Sequence, residues 1–261
     1  MKTTNLKSVW MLALIVANGV VGMGATAATP ATAAVIYQDA FSRSGNLNGS
    51  SPDIGSNPWV ASTSGTADTT DGTQVLNQPG HAAFLPFTPA NGLVYTLSAD
   101  LNTSATTNFW EALGFSDNNN TGTNSFHVIP GNTVGPWLLQ TGNGTSPDST
   151  FLGPGTSGQN DPTVASSNTG YANYAIVLNT INPTAWTVAF HRNGSLMPGT
   201  TTYTYVTNPT INYVGFGNSQ ILGNVDNFML TVVPEPSGIL SLIMGLGFIG
   251  TLRRRNVQRK D

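Results

Sequence analysis

Residues 185–196 read AWTVAFHRNGSL. Trp186, Val188 and Phe190 take alternate positions, with Thr187, Ala189 and His191 between them. Successive side chains of an extended chain point to opposite faces, so this run can bury one face and wet the other. Asn193-Gly194 follows directly. A two-residue type I′ turn needs positive φ at both central positions, which Asn and Gly tolerate best, so the stretch predicts a β-hairpin. The same period of two recurs outward from it. Tyr95, Leu97, Ala99 and Leu101 alternate with Thr96, Ser98 and Asp100, and Tyr174, Ile176 and Leu178 alternate within Asn173–Asn179. Further candidate strands are Val35–Phe41, His81–Phe84, Phe109–Phe115, Ser125–Ile129, Trp137–Gln140, Tyr203–Val206, Tyr213–Gly217 and Val225–Val233. No interior stretch sustains an apolar period of 3.6 with helix caps. Many strands joined by Asn/Gly/Thr/Ser/Pro-rich loops predict one all-β sandwich. The longest such loop runs from Thr141 to Gly170.

Composition narrows the function classes. The 261 residues contain no cysteine, which excludes a disulfide scaffold, cysteine-ligated metal and a thiol nucleophile. Only 8% of residues are charged, against about 25% in ordinary soluble domains. The net charge of −3 hides an asymmetry. Lys2, Lys7, Arg253, Arg254, Arg255, Arg259 and Lys260 lie near the ends. Between Ala34 and Val233, Arg43 and Arg192 stand against ten acidic residues, a body of −8 with no lysine. Such a surface does not seek nucleic acid, and a body without lysine cannot hold a Gly-x-x-x-x-Gly-Lys phosphate loop.

The two ends predict export and tethering. Lys2 and Lys7 precede the apolar run Val9–Val21, and Ala31-Thr32-Ala33 offers a small-residue cleavage site, so residues 1–33 are expected to be a signal peptide. At the other end, Pro234-Glu235-Pro236 precedes the uncharged apolar segment Ser237–Leu252, and Arg253-Arg254-Arg255 follows it. A basic cluster beyond an apolar span is expected to stay cytoplasmic, which leaves everything before Pro234 outside the inner membrane. Gly245, Gly247 and Gly250 suit close helix packing within that span.

This terminal order, Val-Pro-Glu-Pro-Ser, a Gly-rich apolar helix and then three arginines, resembles a PEP-CTERM sorting signal over residues 234–261. The resemblance implies recognition and processing by an exosortase, a membrane transpeptidase of Gram-negative bacteria that make exopolysaccharide. Pro234, Glu235 and Pro236 would be its processing residues. The protein would then reach the cell surface or the extracellular matrix. For residues 34–233, the opening Tyr37–Phe41, the central AWTVAFHRNGSL and the closing YVGFGNSQ and VDNFMLTVV together resemble a concanavalin A-like, laminin G-type jelly roll. That likeness supports a fold rather than an activity.

Catalytic constellations are sparse. Glycoside hydrolysis needs two carboxylates flanking the bond, and sandwich hydrolases commonly carry Glu-x-Asp-x-x-Glu on one strand. The body's one glutamate, Glu111, has Leu113 and Phe115 at those same-face positions and reads as a solvent-facing strand residue. Glu111, Asp117, Asn119 and His127 have the residue types of a legume-lectin metal pair, but not its spacing. His81, His127 and His191 lack a Gly-x-Ser-x-Gly partner, so no serine hydrolase is expected. Asp39 and Asp226 would approach a common Ca²⁺ if the first and last strands are neighbours; the alternative is two aspartates bonded to local backbone. Trp59, Trp110 and Trp137 could stack on sugar rings or fill the core. The expectation is a non-catalytic structural or polysaccharide-binding ectodomain. A carbohydrate-active enzyme and a calcium-stabilised adhesin are the alternatives.

Overall fold

A computed structural model describes residues 32–63, 65–103, 110–122, 134–141, 148–153, 159–160, 170–197, 201–219 and 223–234. The signal segment before Thr32, Glu235, Pro236 and the arginine cluster Arg253–Arg255 lie outside the described residues, as does the candidate strand Ser125–Ile129. Among the described residues no helix is long and apolar enough to cross a membrane.

The strands are β1 (Ala34–Asp39), β2 (Ser44–Asn46), β3 (Val60–Ala61), β4 (Thr69–Asp71), β5 (Val75–Asn77) and β6 (Ala82–Pro86). Next come β7 (Leu93–Thr103), β8 (Trp110–Ser116), β9 (Val134–Thr141), β10 (Ser149–Phe151), β11 (Gln159–Asn160) and β12 (Ala172–Asn179). The last are β13 (Thr187–Arg192), β14 (Ser195–Leu196), β15 (Tyr203–Thr204), β16 (Tyr213–Asn218) and β17 (Gly223–Pro234). They form two antiparallel sheets. Sheet A runs β14-β13-β12-β7-β17-β5-β4-β2, with β1 also on β17 and β15 on β13. Sheet B runs β11-β10-β9-β8-β16-β6-β3. The expected sandwich is therefore the observed architecture. The hairpin at Asn193-Gly194 joins β13 to β14 with φ of 49° and 77°, as a type I′ turn requires.

Alternation decides what each long strand of sheet A buries. On β7, Tyr95, Leu97, Ala99 and Leu101 point inward; on β12, Tyr174, Ile176 and Leu178 do so; Val188 and Phe190 follow on β13. They meet Leu113 and Phe115 of β8, Leu138 of β9 and Val214 and Phe216 of β16. Sheet B differs in that its outer face is also covered. Phe84, Ala112, Trp137 and Leu139 form a second buried cluster there, with Trp110, Phe151 and Tyr213 half-buried against it. Gly215 admits this layer, because a Cβ on it would stand 2.9 Å from the Phe84 ring and 2.0 Å from the Ala83 carbonyl oxygen.

Candidate functional site

The first and last strands are neighbours: Asp39 on β1 lies opposite Phe228 on β17. Asp39, however, is not free to ligate a cation. It is fully buried and accepts hydrogen bonds from both Arg43 guanidinium nitrogens at 2.7 Å, from the Trp59 indole at 2.7 Å and from the Phe41 amide at 2.9 Å. Its two oxygens thereby fasten the entrance loop to the core, where Phe41, Trp59, Phe216 and Phe228 pack with ring centroids 5.0–6.2 Å apart. The pairing expected of Asp39 and Asp226 on one Ca²⁺ is corrected accordingly, since Arg43, the Trp59 indole and the Phe41 amide together take the four acceptor sites of the Asp39 carboxylate. Trp59 is likewise core rather than a stacking surface, and Trp137 is buried on the outer face of sheet B, its ring stacked on Phe151 at 3.9 Å. Trp110, half-buried, packs 6.2 Å from Trp137.

Asp226 belongs instead to a polar row on the outer face of sheet A. It stands opposite Asp100 of β7, which in turn stands opposite Asn173 of β12. A bulge after Asp226 puts Asn227 in the left-handed region, φ 50°. From there the Asn227 amide donates to Asp100 at 2.9 Å and reaches Asp226 at 3.4 Å, while the Asn173 amide donates to the other Asp100 oxygen at 2.8 Å. Two like charges directly opposite in a sheet are unfavourable, and these amides offset part of that cost. Burial, and then the neighbouring Asp100, Asp71 and Asp39, hold the Asp226 carboxyl above the ordinary range. Tyr171, 47% exposed, borders the row and donates its hydroxyl to Gln74, which also bonds Asp71. Burial and the Asp226, Asp71 and Asp100 carboxylates push its phenol up to about 12. Beyond Asn227 a depression of about 200 Å³ is lined by Gln38, Ala40, Asn227 and Met229. Carboxylate and amide oxygens, amide donors and an exposed aromatic ring thus share one face, the chemistry that grips the hydroxyls and apolar ring face of a sugar. The sequence singled out Asp226 in this row, but Asp100, Asn173, Asn227 and Tyr171 carry no motif.

A second polar group lies between the sheets. Glu111 is fully buried on the inner face of β8, which corrects its expected solvent-facing position. It is flanked in sheet B by Gln140 and Asn218, with His81 one strand further. Opposite, sheet A presents Thr103, Gly223 and Asn77 in one register row, and Asp68 extends it beside Asn77. The rows are linked at their outer positions. The Gln140 carbonyl accepts from the Thr103 amide at 2.8 Å, the Asn218 amide donates to the Asn77 carbonyl at 2.7 Å, and His81 Nδ1 lies 3.1 Å from Asp68. Asp68 also accepts from the Gln78 amide at 2.6 Å. Burial raises the Asp68 carboxyl despite these partners, and burial with the Asp68 charge raises Glu111 well above the carboxylate range. Gly223 lets Glu111 lie between the rows, because a Cβ there would stand 1.6 Å from Glu111 Oε2. Among the described residues no group of three or more His, Asp or Glu is placed to hold a metal ion.

No protein-family model matches the chain, and no curated protein matches it. Among solved structures, a galectin-like protein of unknown function from Bacillus subtilis aligns at 15% identity and TM-score 0.48, over 77% of this chain and 98% of that one. Domain 4 of the extracellular arabinanase AbnA from Geobacillus stearothermophilus, in complex with arabinotriose, aligns at 15% identity and TM-score 0.45, over 80% and 98%. The carbohydrate recognition domain of Emp47p aligns at 10% identity and TM-score 0.43, over 76% and 97%.

Proposed function

We propose that this is an exported surface or matrix protein, tethered by a PEP-CTERM segment, processed by an exosortase, and bearing a non-catalytic, glycan-binding concanavalin A-like ectodomain. The observation that carries the binding reading is the row Asn173–Asp100–Asp226 with Asn227 and the exposed Tyr171 beside it. Sugar hydroxyls are bound by such acceptor and donor pairs, and the flat phenol supplies the apolar contact. The non-catalytic reading is supported by Glu111, the one glutamate of the body, being sealed between the sheets where no polysaccharide reaches it. Tethering is supported by the order of residues 234–261 and by β17 ending at Pro234, opposite Leu93, with Ala34 on the same side. Both termini of the sandwich thus leave from one end and the polar row remains lateral.

A glycan array probed with surface-released protein tests the binding reading. Binding without release of reducing sugar is expected, and loss of that binding in Asp100→Ala and Tyr171→Ala. Hydrolysis of any bound polysaccharide, or binding indifferent to both substitutions, contradicts it. Mass spectrometry of the released protein tests processing, with a C-terminus at the Pro234–Pro236 segment expected and an intact Arg253–Asp261 tail contradicting it.

A further inference from the structure

Between the sheets, a hydroxyl, a carboxamide and a carboxyl meet with no water around them. Thr103, Gln140 and Glu111 are all buried. Glu111 on β8 lies directly opposite Gln140 on β9, and Thr103 on β7 lies directly opposite Gly223 on β17. The Glu111 carboxyl rests against Gly223, where an added Cβ would collide with Oε2. It therefore ends beside the cross-strand neighbour of Thr103, and such neighbours have Cβ atoms about 4.5–5.5 Å apart. Gln140 closes the group. Its Oε1 accepts from the Thr103 backbone amide at 2.8 Å, and its Nε2 donates to the Gly170 carbonyl at 3.1 Å. Thr103 Oγ1 and both oxygens of Glu111 have no hydrogen-bond partner, a state that buried polar atoms rarely show without a chemical reason.

We propose that Thr103 and Gln140 condense into an intramolecular ester, with Glu111 relaying the proton, which joins β7 of sheet A covalently to β9 of sheet B. Thr103 Oγ1 attacks Gln140 Cδ. The Thr103 backbone amide, already bonded to Oε1, stabilises the oxyanion that develops there. The neutral Glu111 carboxyl takes the hydroxyl proton on one oxygen and gives its own proton to Nε2 from the other. The Cδ–Nε2 bond then breaks and ammonia leaves. One C–O bond has replaced one C–N bond, and the exchange is redox-neutral. Burial keeps Glu111 protonated well above the carboxylate range, as a group that both gives and takes a proton requires. Gly170, the partner of the leaving nitrogen, is exposed and marks the way out for ammonia. Exclusion of water protects the ester once formed, and fixed neighbours make the attack effectively unimolecular. Disulfide, thioester and lysine isopeptide links need cysteine or lysine, which residues 34–233 lack.

The test is mass spectrometry of the purified full-length protein, intact and after denaturation and chymotrypsin, which cuts after Trp110 and Phe115 between the two residues. A loss of about 17 Da, one ammonia, is expected, together with a two-chain peptide joining Thr103 to Gln140. Thr103→Val and Glu111→Gln should each keep the full mass and yield two separate peptides. Should Glu111→Gln not fold, Glu111→Ala takes its place, with the same result expected. Wild-type protein of full mass overturns the proposal. So does a 17 Da loss that survives Thr103→Val, which would place the lost ammonia at an Asn-Gly succinimide instead. A linked Glu111 variant overturns the proton relay.

Discussion

Asp39 shows how one side chain can organise a loop. Its carboxylate gathers a guanidinium, an indole N–H and a backbone amide whose residue, Phe41, sits at φ 48°. Removing one partner of a buried pair costs about 3–5 kcal/mol, because the other charge is left uncompensated. Asp39→Ala is therefore expected to lower the unfolding free energy by about that amount, read from urea denaturation. Gly223 offers a contrasting case, where a missing side chain is what matters. Gly223→Ala drives a methyl into Glu111 and should cost about 1–3 kcal/mol, much of it recovered in the Gly223→Ala/Glu111→Ala double variant. Unchanged denaturation midpoints in either single variant would refute these assignments. Neither role was legible in the sequence. Glu111 sits in Trp-Glu-Ala-Leu-Gly-Phe, where both faces of the strand are apolar, and β8 is in fact covered on both sides. Alternation can assign a face only where one face is wet.

At the scale of elements, β17 governs sheet A. It pairs with β7 on one side and with β1 and β5 on the other, and its bulge turns Asn227 across the two aspartates. The raised Asp226 carboxyl makes the folded chain hold a proton that the unfolded chain releases. Its stabilising contribution is thus complete below the ordinary aspartate pKa and is lost as pH rises through the folded value. Asp226→Asn should remove that loss and raise the melting temperature at neutral pH by about 1–3 °C, discounted for the exposure of the site. The difference should shrink as pH falls through the ordinary aspartate range and be gone well below it, where Asp226 is protonated in both the folded and the unfolded chain. A variant less stable than wild type at neutral pH would count against the like-charge reading. The long strands β7, β12 and β13 were legible because each lies in a run that alternates for six residues or more, and β17 was legible as the apolar run Val225–Val233 although its bulge breaks the period. The strands β2, β4 and β5, three residues each, were not. Their sequences are too short to show a period, and only pairing back onto β17 makes them strands.

The whole molecule divides its charge between ends and middle. Basic residues flank the segments expected for export and tethering, and the sandwich between them has a formal charge of −8, part of it in the buried Asp39, Asp68, Glu111 and Asp148, so that its surface is polar more than ionic. Such a body does not attract polyanions, and the proposed glycan contact would run through amides, hydroxyls and carboxylates. Tryptophan positions alone did not mark the candidate face. Trp59 and Trp137 are interior, and an exposed tyrosine marks the candidate face instead. The most direct measurement is an NMR titration of the folded protein with a polysaccharide found on the array. The account predicts amide shift changes confined to the outer face of sheet A, at Asp100, Tyr171, Asn173, Asp226 and Asn227. Changes centred on Trp110, Trp137 and Tyr213 of sheet B would contradict it.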